Sequence, residues 1–171
     1  MIKEKIHLAD LITAFDDIAS QLLEMVEPLS ETSLNTVPFK NSWTAAQLTT
    51  HVTKSNSSIA QALNMEGKPA EREPGERVQE LKKIFLDLST KFQSPEFILP
   101  AQDTYEKDIL VAKFKRSIER LKAAAATVNL SEIINLPIFG EITKLELLHF
   151  VLYHTQRHNH QLKNIVGILE E

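Results

Sequence analysis

A chain of 171 residues, 43% apolar and 25% charged, is long enough to bury one substantial core, so residues 1–171 are expected to form a single helical-bundle domain. Its formal charge of −4, with bases interleaved among acids as in "EKDILVAKFKRSIERLK", supplies no basic patch and argues against a nucleic-acid partner. The absence of cysteine excludes disulfides, a protein thiolate nucleophile and cysteine-ligated metals, leaving histidine and carboxylate as the available ligands.

The opening "MIKEKIHLADLITAFDDIA" contains acids and lacks the unbroken apolar run of a signal peptide. No later run reaches membrane-spanning length, so no membrane association is expected and a cytoplasmic location is the default. Apolar residues recur at three- and four-residue steps over long stretches, which predicts an all-α class. The first helix runs from about Ile6 to Val26, striped by Leu8, Leu11, Ile12, Phe15, Ile18, Leu22 and Met25, and Pro28 ends it. A polar loop follows to Trp43. The second helix starts at Thr44, where "TAAQ" is a capping box, and ends near Gly67 and Pro69. A third carries Val78, Leu81, Ile84, Phe85 and Leu88 and stops at "QSPEFILP". The fourth spans about Tyr105 to Val128 with Ile109, Phe114, Ile118 and Leu121 inward. "NLPIFGEI" reads as an irregular connection, and the last helix opens with a second capping box, "TKLE" from Thr143 to Glu146. Four long helices and one shorter one pack most simply as a four-helix bundle with an additional short helical segment.

Four of the six histidines fall in the last helix, within "LLHFVLYHTQRHNHQLKNI". At about 100° per residue they separate into two pairs. His149 and His160 share a face with Glu146, Tyr153, Gln156 and Lys163, a wet face, and receive no role; nor does His7. His154 and His158, an i, i+4 pair, lie in line with Leu147, Val151, Leu162 and Ile165 on the apolar face. Imidazoles turned toward a bundle interior need partners for two ring nitrogens each. A shared metal ion would satisfy that need, and so would ordinary hydrogen bonds in the core or at the bundle's end. His51, beside the second-helix stripe of Leu48, Val52, Ile59 and Leu63 and in file with Ser55, Ser58 and Ala62, is either a third ligand or a boundary histidine bonded to water. No glutamate adjoins the pair to complete a zincin motif.

"NSWTAAQLTTHV", "IFGEITKLELL" and the terminal "HTQRHNHQL", in this order and spacing, resemble the DinB-like superfamily of bacterial four-helix-bundle metalloproteins over nearly the whole chain. The resemblance implies one metal ligand from the second helix and an H-x-x-x-H pair from the last, which falls on His51, His154 and His158. "HNHQ" departs from the commoner His-Arg-Gly-Gln ending, which leaves the role of Gln161 open. Three neutral imidazoles leave a divalent ion doubly charged with an open position, the pattern of catalytic sites. Zinc is the leading occupant and nickel also suits imidazole.

The resemblance further implies a transferase that activates a low-molecular-weight thiol cosubstrate, bacillithiol-like, toward a small-molecule electrophile. A hydrolase working through water on the metal and a non-catalytic, stress-associated metal-binding protein are the alternatives. The resemblance admits a homodimer, since related bundles often pair. No general acid or base is legible, and Ser55, Asn56 and Gln161 are either groups touching the ligands or substrate or ordinary polar surface.

Overall fold

The computed structural model describes residues 2–170, with side chains from Leu8 onward, so the side chain of His7 lies outside the described residues. In chain order the elements are α1 (Ile2–Val26), α2 (Glu31–Leu34), α3 (Ala45–Leu63), β1 (Lys68–Pro69), α4 (Val78–Phe85), a 3-10 turn (Glu96–Ile98), α5 (Lys107–Thr127), β2 (Glu132–Leu136), β3 (Gly140–Thr143) and α6 (Lys144–Leu169). The four long helices form the bundle. α3 packs on α5 and α6, and α1 closes the ring against the same two. None of the described helices is long and apolar enough to cross a membrane.

Both capping boxes form. Thr44 accepts from Gln47 N while the Gln47 side chain accepts from Thr44 N, and Thr143 and Glu146 do the same for α6. These starts fix the rotation of α3 and α6, and hence the direction in which their histidines point.

Between α5 and α6 the expected irregular connection is a hairpin. β2 pairs antiparallel with β3, Ile133 opposite Thr143 and Leu136 opposite Gly140, and β1 adds a third strand through Lys68 opposite Ile133. The strands are too short to show an alternating pattern in sequence. Gly140 turns the hairpin at φ 65°, and a Cβ at Gly67 would stand 2.7 Å from Glu132 Cβ, so glycine lets β1 approach. The polar loop before Trp43 contains the single turn α2, capped by Ser30. α4 ends at Phe85, leaving Leu88 beyond it and exposed together with Ile84. Ile109 is 51% exposed instead of inward. The stripe that includes Phe114 and Leu121 continues one turn back to Leu110, which is buried in its place.

The core falls into two apolar clusters, one around Phe15, Leu63, Leu121 and Leu147, the other around Leu22, Leu48, Phe114 and Leu162. Buried polar residues gather where one cluster gives way to the other along α3 and α6. On α3 and α6 these are His51, Ser55, Asn56, His154, Thr155, His158 and Asn159. Asn56 Nδ2 donates to Ser117 Oγ of α5 at 3.3 Å and Asn159 Nδ2 to the Ile18 carbonyl of α1 at 3.1 Å, so this polar belt ties all four helices. Ser55 and Asn56 are therefore interior groups and not helix surface.

Candidate metal centre

His51, His154 and His158 converge in this belt, all three buried. Their Nε2 atoms form a nearly equilateral triangle: 3.2 Å from His51 to His154, 3.0 Å from His51 to His158 and 3.1 Å from His154 to His158. α3 supplies one corner and two successive turns of α6 supply the others. His160, by contrast, is exposed, and His149 is half-buried beside Tyr153, ring centroids 6.1 Å apart, away from the triangle.

The tautomers follow from what the other ring nitrogens meet. His51 Nδ1 lies 3.0 Å from the carbonyl of Ile98, which can only accept, so Nδ1 carries the hydrogen. His158 Nδ1 lies 3.0 Å from Gln161 Oε1 and donates to it in the same way. Both rings therefore turn bare Nε2 lone pairs toward each other at 3.0 Å. His154 can bring one hydrogen to the triangle, which leaves lone pair facing lone pair elsewhere. A cation at the centre removes that conflict.

A proton is a poor candidate for that cation. Burial, then the charges of His158, His51 and Arg157, push the His154 imidazole well below its ordinary value. Burial, with His51 and Arg157 adding to it and the Gln161 contact opposing, takes His158 down to about 3. His51 is lowered too, by burial first, against the Ile98 bond. Neutral imidazoles at this spacing suit a divalent ion bound at about 2.0 to 2.2 Å from each nitrogen, so the residues present fit the group.

Aromatic side chains close in on the triangle. Trp43 lies 4.9 Å from the His51 ring and 6.4 Å, nearly parallel, from His158, while Phe150 and Phe85 stand 5.1 and 6.4 Å from His154. In the sequence Trp43 stands out only as a marker ahead of a helix and "QSPEFILP" only as a stop. Both contribute to the site, through the indole and the Ile98 carbonyl. Nothing in the residue types could have announced a backbone carbonyl as the orienting group. Gln161, three residues beyond His158, was readable from helical spacing.

The wet face assigned to α6 needs one correction. Glu146 is fully buried. Its carboxylate accepts from Arg72 Nη1 and Nη2 at 2.6 and 2.9 Å and from the backbone N–H groups of Arg77 and Thr143, both at 2.9 Å. The segment before α4 folds over it, a long-range contact that helical periodicity cannot register.

A model of the DinB superfamily matches residues 14–162. The uncharacterized protein YuaE of Bacillus subtilis strain 168 is 23% identical over 163 residues, covering 93% of this chain and 99% of YuaE. Among solved structures, a conserved protein from Enterococcus faecalis aligns with a TM-score of 0.64 at 17% identity, over 94% of this chain and 95% of that one. YfiT from Bacillus subtilis, described as a probable metal-dependent hydrolase with an unusual four-helix bundle topology, aligns at 0.62 and 17% identity, over 92% and 85%. The four-helix bundle protein TT2238 aligns at 0.60 and 17%, over 92% and 98%. At such identity the shared property is the bundle fold.

Proposed function

The chain belongs to the DinB superfamily, and from that premise we propose that it is metal-dependent: His51, His154 and His158 hold one divalent ion, zinc or nickel, at which a small thiol is activated toward a small electrophile. The observation that carries the metal is the meeting of bare Nε2 lone pairs of His51 and His158 at 3.0 Å. When bound, a divalent ion supplies Lewis acidity, lowering the pKa of a thiol or water that reaches its open side.

The chain's own residues fix that side. The Ile98 carbonyl and Gln161 Oε1 hold two imidazoles in the ligating tautomer. Trp43, Phe85 and Phe150 pack around the rings and limit water. Among the described residues no carboxylate belongs to the histidine cluster. That supports thiol conjugation over hydrolysis of amides, because conjugation asks for no protein acid or base. The thiol loses its proton to solvent and the sulfur lone pair forms the new carbon–sulfur bond. The electron pair of the broken bond leaves with the departing group, which takes up a solvent proton where it needs one. An amide leaving group would need a positioned acid. The second reading, a hydrolase, draws on the description of YfiT, whose bundle is superposable over most of this chain.

The test begins with metal content. Parent and His149→Ala protein should hold one divalent ion per chain and melt lower after chelation. At an ion concentration about a hundredfold above Kd the stabilisation amounts to ~2.7 kcal/mol. His154→Ala should hold none and ignore the chelator. Two variants with equal metal would end the proposal. Cobalt-substituted protein should then develop sulfur charge-transfer absorption with 2-mercaptoethanol and accelerate its conjugation to a model electrophile. Hydrolysis of esters without a thiol response would transfer the assignment to the hydrolase reading.

A further inference from the structure

Two cations flank the histidine triangle, and one segment of backbone occupies both. Lys54, three residues after His51 on α3, donates from Nζ to the Leu99 carbonyl at 2.7 Å. Arg157, between His154 and His158 on α6, donates from Nη1 to the carbonyls of Phe85 at 3.3 Å and Asp87 at 2.7 Å and from Nη2 to that of Thr90. Its guanidinium also lies 4.7 Å from the centre of the Phe92 ring. His51 Nδ1 holds the Ile98 carbonyl. Every one of these acceptors lies in residues 85–99.

The segment has little else to hold it. Ile98 is its buried apolar anchor, while Leu88, Phe92, Phe97 and Leu99 are exposed. A segment secured by a few polar contacts and little buried apolar surface opens at low cost. Among the described residues the carboxylate acting on Arg157 is Asp87, whose oxygens accept from Ser89 and Thr90, and it belongs to the same segment. Once residues 86–99 move aside, Lys54 loses its acceptor and Arg157 keeps only the Phe85 carbonyl, while His51 Nδ1 exchanges the Ile98 carbonyl for water and its ring is held by the ion.

On the reading of the triangle as a metal centre, we propose that its ligand is a small molecule bearing a carboxylate recognised by Lys54 and Arg157. Residues 86–99 are the lid whose carbonyls stand in for that carboxylate until it arrives. The chemistry of exchange is direct. A carboxylate offers the same planar oxygen acceptors as a carbonyl but with full charge, and charge-assisted bonds to guanidinium and ammonium are roughly twice as strong as those to neutral oxygen. Apolar side chains already exposed on the lid lose little burial on moving.

The experiment compares two thiols on the cobalt-substituted protein, 3-mercaptopropionate and 2-mercaptoethanol, which differ in the carboxylate. The first should bind at least about tenfold more tightly, the scale of one charged hydrogen bond. It should also raise amide hydrogen exchange across residues 86–99, and 2-mercaptoethanol should not. Lys54→Gln and Arg157→Gln should each narrow the preference, and the double variant should remove it; exposed Lys54→Gln alone carries the test if the Arg157 variant folds poorly. Equal affinities, or a preference that survives in the double variant because the carboxylate sits on the cobalt, would overturn the proposal. If neither thiol changes the cobalt spectrum, the thiol reading of the site fails separately. Propionate alone then decides the matter: faster exchange at 86–99 in the parent but not in the double variant supports the carboxylate site, and an unmoved lid refutes it.

Discussion

Helix α6 carries two buried polar clusters about two turns apart, and their hydrogen-bond accounts are opposite. At its N-terminus the Glu146 carboxylate meets four donors, two from the Arg72 guanidinium and two backbone N–H groups, so every acceptor there is matched. Around His154 and His158 the acceptors outnumber the donors. The Glu146 cluster is complete as the chain makes it and serves to lock the segment before α4 onto the helix. The histidine cluster is complete only with something the chain does not encode. Complementarity within the protein marks a structural role, and three facing imidazoles short of donors mark a site.

The largest effect that would test this contrast is at Glu146. Glu146→Ala strips the acceptor from a guanidinium and two backbone amides, and should cost about 3 kcal/mol in urea unfolding while leaving metal content per folded chain unchanged. Loss of metal with intact stability would reverse the roles assigned to the two clusters. Burial alone would raise the Glu146 carboxyl, but Arg72 and the Thr143 and Arg77 amides outweigh it and hold the group below its ordinary value.

Next comes Gln161→Leu, which removes the acceptor that orients His158. Metal affinity should fall about ten- to a hundredfold in competition with a chromophoric chelator. Apo stability should stay within about 0.5 kcal/mol, since Gln161 is exposed. A variant with parental affinity would show that packing alone fixes the ring.

Per pH unit and per histidine, the smallest effect concerns acid. His154 and His158 resist protonation in the fold, His158 down to about 3, whereas in the unfolded chain they protonate near the ordinary imidazole value. Between those limits the unfolded state binds more protons, so stability is intact above the ordinary value and declines as pH falls through it. The slope is at most about 1.4 kcal/mol per pH unit for each histidine. Urea midpoints of metal-free protein across this range should show it, and His158→Asn should flatten it. A midpoint independent of pH would place the rings in contact with water.

The inward face of His154 and His158 was legible because the i, i+4 pair falls on a helix whose start is fixed by a capping box, while His51 behind Thr44 was joined to them only by the family resemblance. Face assignment then needs only the helical period. It failed at Glu146, on the same helix, because what covers that residue arrives from more than sixty positions away. The small sheet was hidden for a related reason: strands of two to five residues carry no period, and their pairing depends on Gly67 allowing a close approach. Ile109 was misplaced because near a helix end two adjacent apolar residues compete for the stripe, and the turn containing Leu110 wins. The lid segment is the least legible part, since its contribution is made by carbonyl groups that every residue possesses.

Trp43 has a consequence for anyone who watches this molecule in solution. It is the chain's single tryptophan, and its indole rests against the rings of His51 and His158. Indole emission therefore reports from one address: an open-shell ion or a protonated imidazole at that distance dims it, and a closed-shell ion does not. The optical signature of the whole protein is thereby the signature of its three histidines.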